Sequence, residues 1–298
     1  MARNHSLYVI EQCCLYKLSS RKKLAQFLFT SERALEDLAI VENRYSSWEI
    51  AKSSGGKRTI EAPHDNLKAV QKRIAKLLHR ISPPDYLMAP VKGRSYVDNA
   101  ALHVGSHAFC LMDIENFFPS CTDKRVYWFF NKKMLCSPDV ASILTKLTTL
   151  RGHLPQGSPC SPILAFFAYV DMWEAINDII SKSSCRLSIY ADDITISGDT
   201  VYERDIWAIK KTLYKHGHRY SRKKLRHLID KPADITGVIV SGNYLLLPNR
   251  QHEKLTATKE QLKLAKCSED RERLSRQVRG REAQAQQVLG HQAKRLHN

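Results

Sequence analysis

Apolar residues recur at helical spacing through the first 45 residues, where polar positions separate Leu24, Phe27, Leu28, Leu35 and Leu38. The stretch SSGGKRTIEAP (53–63) interrupts that pattern. Its Gly-Gly pair ends a helix and Pro63 disfavours helical backbone at Ala62, so a turn leading into a short extended segment is expected. Residues 66–80 return to a helical period, with Leu67, Val70, Ile74, Leu77 and Leu78 on one face of a basic amphipathic helix. Residues 82–97 are punctuated by proline and glycine and read as loop. The run AFCLMDI (108–114) is apolar throughout and closed by an acid, which suits a buried strand whose end carries function. Residues 122–149 read as helices. A long apolar helix is expected from about 163 to 180, with Ser161 as N-cap and Pro162 at its first position. Ile163, Phe166, Phe167, Val170 and Ile176 mark its buried side. RLSIYADDITIS (186–197) has two β-prone arms around a short acidic turn and predicts a hairpin. Extended pieces are expected at 235–241 and 245–248, and from about 250 the chain is polar, helical and basic with weak apolar periodicity.

Three acids stand where that pattern makes acids costly. Asp113 closes an apolar strand, and Asp192 and Asp193 are adjacent between Ile189 and Ile194. Buried carboxylates are expensive when unpaired, and like charges raise each other's pKa. A divalent cation with a preference for hard oxygen ligands removes both penalties. Two such ions about 3.5–4 Å apart can activate an attacking hydroxyl and stabilise a leaving pyrophosphate. That chemistry requires the end of strand 108–114 to lie beside the 191–193 turn. Successive strand residues face opposite sides, so one of Asp192 and Asp193 is expected as the main ligand and the other is aimed by the turn. Taken alone, Asp192-Asp193 reads first as an ordinary acidic turn, and only its combination with Asp113 and a basic chain turns the reading towards metal chemistry.

Charge narrows the partner. The 298 residues carry 47 Lys and Arg against 30 Asp and Glu, a formal net charge of +17, with 43% hydrophobic and 8% aromatic residues. This is a globular composition with room for a large core, and its basic excess favours a polyanion, nucleic acid first. The eight cysteines form no C-x-x-C pair and no zinc-spaced cluster, so buried free thiols in a reducing compartment are expected. The N-terminal MARNHSLYVIEQCC shows no signal-peptide pattern, and no run of about 18 apolar residues predicts a membrane span.

Four segments together resemble the reverse transcriptases. YADD (190–193) is similar to their acidic core motif, and AFCLMDIENFFPS (108–120) resembles the strand with their first catalytic aspartate. LPQGSPCSP (154–162) resembles their nucleotide-pocket loop, and GGKRTI (55–60) with LKAVQKRI (67–74) resembles their fingers. Two further signatures, NAALH (99–103) and ITG (235–237), resemble the retron branch of the bacterial enzymes, with Ile235 in place of valine.

The resemblance implies an α+β right-hand polymerase fold: fingers over 1–107, a palm of antiparallel sheet packed on helices over 108–242 with interleaved fingers helices at about 122–150, and a small helical RNA-binding thumb over 243–298. It implies RNA-directed DNA synthesis with two Mg2+ ions, Mn2+ being the substitute, held by Asp113, Asp192, Asp193 and the main chain of Ile114. The partners implied are dNTPs, a cognate structured noncoding RNA that primes from a guanosine 2′-hydroxyl, its RNA-linked cDNA, and a separate effector protein in antiphage defence, in the bacterial cytoplasm with no membrane. Another defence-associated or intron-like reverse transcriptase, and an RNA-binding scaffold that restrains an effector, are the alternatives.

The resemblance assigns Lys57 and Arg58 to the incoming triphosphate, Phe118 to a steric gate with Phe117 in the core, and Gln156 and Gly157 to the nucleotide pocket. Their bland readings are a solvated turn, two core rings and a helix-leading turn. Lys224 matches a lysine near the β- and γ-phosphates, but Ser221 stands where the family commonly has asparagine, so Lys223 is an alternative. Asn99 and His103, four residues apart, face RNA or fix a loop. Arg273, Arg276, Arg279, Arg281, Lys294 and Arg295 are the expected RNA contacts of the thumb.

Overall fold

A computed structural model describes residues 7–41, 43–51 and 55–296, with side chains described as far as His291. The N-terminal part contains α1 (Arg21–Phe27) and α2 (Glu32–Ile40), started by Ser20 and Ser31, whose hydroxyls accept from Lys23 N and Ala34 N. A two-stranded hairpin follows, β1 (Tyr45–Ala51) with β2 (Lys57–Pro63), and then α3 (Asp65–Leu78). The α3 face predicted to be apolar is buried.

Next come β3 (Leu87–Ala89), α4 (Tyr96–Ala101) and β4 (Ala108–Asp113). A reciprocal capping box of Ser95 and Asp98 starts α4. The helical stretch after β4 is α5 (Phe117–Ser120), α6 (Asp123–Trp128), a π-turn over Phe129–Lys133, and α7 (Pro138–Thr148). Then follow α8 (Ser161–Phe167), α9 (Val170–Ile180), β5 (Arg186–Tyr190), β6 (Asp193–Gly198) and α10 (Glu203–Lys215). The chain continues with β7 (Arg226–Ile229), β8 (Ala233–Ile235), β9 (Val238–Ser241), β10 (Tyr244–Leu246), α11 (Asn249–Leu264) and α12 (Ser268–Leu296).

The central sheet has the order β3-β5-β6-β4-β7. It is antiparallel except for β3, which runs parallel to β5. A second sheet, β10-β9-β8, is an antiparallel meander. Strand β4 is buried on both faces: Cys110 and Met112 enter the large core shared with the helices, while Phe109 and Leu111 meet a smaller core. That smaller core is made by Val97 and Ala100 of α4, residues of the second sheet and Val288 of α12. Two-sided burial explains why β4 reads as unbroken apolar sequence rather than alternation.

Several elements differ from the sequence expectation. The helix over 163–180 is two helices, because Tyr169 at the junction turns fully inward, its hydroxyl donating to Ser120 O (3.1 Å) and accepting from Thr122 N (3.2 Å). Cys160, not Ser161, is the N-cap; the Ser161 hydroxyl bonds Pro155 O instead. The presumed loop 82–97 contains β3. The extended piece 235–241 is split by Thr236 and Gly237, both at positive φ, into the β8–β9 hairpin. The basic segment after residue 221 contributes an edge strand, β7. No helix among the described residues is long and apolar enough to cross a membrane.

Candidate active site

The β4–β6 ladder ends with Asp113 directly opposite Asp193. Opposed residues of an antiparallel pair share a face, so these carboxylates leave the sheet on the same side. The β5–β6 turn is tight because Ala191 takes a left-handed conformation (φ 57°), and it brings Asp192 O to within 3.0 Å of Ile114 N. On the other flank Ser221 N donates to Asp113 O (2.8 Å), Glu115 N donates to Arg219 O (2.7 Å), and Ile114 bridges Tyr220. Main-chain bonds from two directions therefore fix the end of β4. The three acids, separated by up to 80 positions in the chain, meet there.

Their electrostatics follow from burial. Asp113 is 8% exposed. Burial raises the Asp192 pKa, the Asp113 charge adds to it, and Lys224 and Arg58 act in the opposite direction. Burial, then the Asp192 and Asp113 charges, push Asp193 up to about 7. Lys224 Nζ lies 2.5 Å from Asp113 Oδ2, and this bond raises the lysine's own pKa. Lys224 is thus the lysine that reaches the acids, while Lys223 lines a neighbouring groove.

Among the described residues, no group of three or more His, Cys, Asp or Glu side chains is arranged to grip a metal ion as it stands. The donor chemistry still fits a hard divalent cation: an all-oxygen set, buried and short of positive charge, with one Asp113 oxygen engaged by an ammonium.

The basic hairpin faces this cluster with one residue of its pair. Arg58, opposite Ile50 on β1, lies within electrostatic reach of Asp192. Lys57 points to the other face, where it pairs with Glu49 at 2.6 Å. The loop 154–162 is stitched to β2 and α3. Glu61 N donates to Gln156 O (2.8 Å), His153 Nε2 meets Glu61 Oε2 (3.0 Å), and the Ser158 hydroxyl donates to Gln71 Oε1 (2.7 Å). Gly157 sits at φ 142°, where a Cβ would fall 2.8 Å from Glu61 O. The close approach of loop and strand therefore requires glycine. Phe117 is buried against Phe118, Trp173 and His218, and Phe118 is half-buried.

The two shorter signatures meet each other through Asn99 and Thr236. Asn99 Nδ2 donates to Thr236 Oγ1 (3.3 Å), which donates to Tyr96 O (3.1 Å). His103 is held between Ser197 and Ser188, 2.7 Å from each hydroxyl. Both Asn99 and His103 are fully buried, so neither faces RNA as a direct contact. They clamp α4 to the central sheet and to the β8–β9 turn.

Among the expected thumb arginines, Arg273 and Arg276 pair with Asp270 and Glu272 along α12, Arg279 is exposed, and Arg281 is half-buried. Lys294 and Arg295 lie outside the described side chains. Sequence reasoning missed Glu61, Gln71 and His153. The available signal was Gln71, a polar side chain in the apolar stripe of α3; it is fully buried and bonds Tyr45 and Leu147 as well as Ser158.

The mixed α/β architecture, with antiparallel strands carrying paired acids at one end of a helix-backed sheet, is that of a right-hand polymerase. The chain belongs to the reverse transcriptase (RNA-dependent DNA polymerase) family, whose pattern residues 50–240 match. Members of that family work with divalent metal ions. The chain is similar to the retron Se72 reverse transcriptase of Salmonella heidelberg, 36% identical over 156 residues, which cover 52% of this chain and 40% of that protein. It is also similar to the retron Ec86 reverse transcriptase of Escherichia coli, 30% identical over 161 residues, 53% of this chain and 50% of that protein. The chain thus spans half or less of the length of these two relatives. A foamy viral protease-reverse transcriptase solved with double-stranded DNA superposes with a TM-score of 0.45 at 16% identity, over 85% of this chain and 41% of that one.

Proposed function

We propose that this chain is a retron reverse transcriptase, which copies part of a cognate structured noncoding RNA into single-stranded DNA that stays joined to the RNA. Synthesis starts from a guanosine 2′-hydroxyl in that RNA. The setting is antiphage defence in the bacterial cytoplasm, with a separate effector protein. The reading is supported by the identity to retron enzymes and by the meeting of the NAALH and ITG signatures through Asn99 and Thr236. The observation that carries it is the convergence of Asp113, Asp192 and Asp193 on one sheet end.

In this reading residues 1–107 serve as fingers, 108–242 as palm and 243–298 as thumb, although β3 and α4 in the first segment work with the palm sheet. Asp113, Asp192, Asp193 and the main chain of Ile114 would hold two Mg2+ ions. Such ions, when bound, ease deprotonation of the attacking hydroxyl and offset charge on the departing pyrophosphate. Arg58 and Lys224 supply positive charge for the triphosphate, with Lys57 adding a more distant charge from the far face. Gln156 and Gly157 let the loop's main chain approach the nucleotide. The Phe118 ring blocks the space a 2′-hydroxyl would need, so deoxynucleotides are selected. Asp192→Ala is expected to abolish extension of an annealed primer on an RNA template while RNA binding by the full chain stays within about twofold. Undiminished cDNA from that variant would overturn the mechanism.

A further inference from the structure

Helix α10 buries Ile206, Ile209 and Leu213. Its opposite side presents Trp207 (59% exposed) and Tyr214 (48% exposed), with Lys211 on the same helical face. Lys211 Nζ sits 3.4 Å from the centroid of the Trp207 ring. Just beyond the helix, Glu115, Tyr214, Arg219, Tyr220, Arg222 and Lys223 line an open groove of about 530 Å³. The Tyr214 and Tyr220 rings are 6.0 Å apart and tilted by 47°, and Lys210 Nζ lies 5.0 Å from the Tyr220 centroid. None of the three catalytic acids lines this groove.

The chemistry is specific in combination. Exposed rings offer stacking faces to bases, and the cations beside them take phosphates. Glu115, the one acid in the groove, can accept from a base amino group. The volume falls in the usual range for small-molecule and nucleotide-sized sites. A duplex keeps its bases stacked inside and could use the cations but not the rings. A free triphosphate or pyrophosphate would have no use for Trp207, which lies on the helix face beyond the groove. We propose that the outer face of α10 and the groove at 219–223 form a second nucleic-acid site, which holds an unpaired RNA strand beside the acid cluster. Two of its lining residues, Glu115 and Arg219, are joined main chain to main chain just past the end of β4, two positions from Asp113, so RNA held there lies close to the acid cluster.

The test uses the full chain saturated with unlabelled primer–template. Anisotropy of a fluorescein-labelled 15-nucleotide single-stranded RNA, and of the matching RNA duplex, reports the second site. Trp207→Ala/Tyr214→Ala should weaken single-strand binding about tenfold or more, leave duplex binding within about twofold, and be rescued by Trp207→Phe/Tyr214→Phe. Arg219→Gln/Arg222→Gln should lower the salt slope of single-strand binding by about 1.4. In the unmodified protein, 4-thiouridine in the same RNA should crosslink at Trp207 or Tyr214, a readout that does not depend on how the variants fold. Wild-type affinity in the aromatic variant overturns the proposal, as do crosslinks confined to other regions or a variant defect only in inhibition by inorganic pyrophosphate. These are binding measurements, so they stand or fall separately from the Asp192→Ala result.

Discussion

At the Asp113 end of the central sheet, ladders from β6 and β7 and main-chain bonds from residues 192, 219 and 221 converge on a strand buried on both faces. Along α11 and α12, by contrast, the buried side chains among those described are Thr258, Leu274, Val278 and Val288, and most ion pairs are exposed. Carboxylates that repel one another need a scaffold too stiff to let them part. An exposed, highly charged helical pair is under no such demand, since its ion pairs are solvated and individually weak. The contrast predicts cooperative, high-energy opening for the sheet and local, low-energy opening for the helical pair.

The strongest way to break that contrast is at Gly157. Gly157→Ala forces a Cβ against Glu61 O in a conformation that L residues rarely adopt, so the loop must leave β2. The KM for dNTP should rise by about tenfold or more in steady-state extension; an unchanged KM would mean that loop and hairpin act independently.

The next test is the buried histidine. Burial holds the His103 pKa down to about 3, against about 6.5 in the unfolded chain. Below pH 6.5 the unfolded chain takes up a proton that the folded chain refuses, so this group withdraws stability as pH falls from 6.5 towards 3. Between pH 7 and pH 5, urea unfolding should show wild type losing about 2 kcal/mol more than His103→Gln. Equal losses would place the imidazole in a softer setting than its two serine bonds indicate.

Smaller effects belong to the helical pair. Val288→Ala removes methyl groups from the second core and should cost about 1–2 kcal/mol. The α12 amides should then exchange hydrogen faster while those of β4 and β6 hold. Spread of that faster exchange into the sheet would erase the distinction between the two regions. Lys259→Ala, which breaks an exposed pair with Glu282 (2.7 Å), should change stability by less than about 0.5 kcal/mol in the same unfolding assay.

The sequence made legible what depends on local pattern. An acid closing an apolar run marked the end of β4, the YADD turn marked the β5–β6 hairpin, and the apolar stripe marked α3. What depended on a distant partner stayed hidden. The three residues of β3 carry no strand signal because β5 supplies their pairing. The basic run before β7 masks a strand that exists because β4 has a free edge. Asn99 and His103 looked like polar candidates for RNA, since nothing nearby in the chain announces Thr236, Ser188 or Ser197. The α8–α9 break reflects one hydroxyl reaching Ser120 and Thr122, which no periodicity encodes.

Helix α4 has a mechanical consequence. Gln287 of α12 holds Tyr96 (3.3 Å), and His291 holds Asp98 (2.9 Å), at the start of α4. Just past the other end, His103 is pinned to β5 and β6, the two arms of the hairpin whose turn holds Asp192 and Asp193. The six residues of α4 thus bridge the last helix and the β5–β6 hairpin, and a shift of α12 along its axis would reach that hairpin through them.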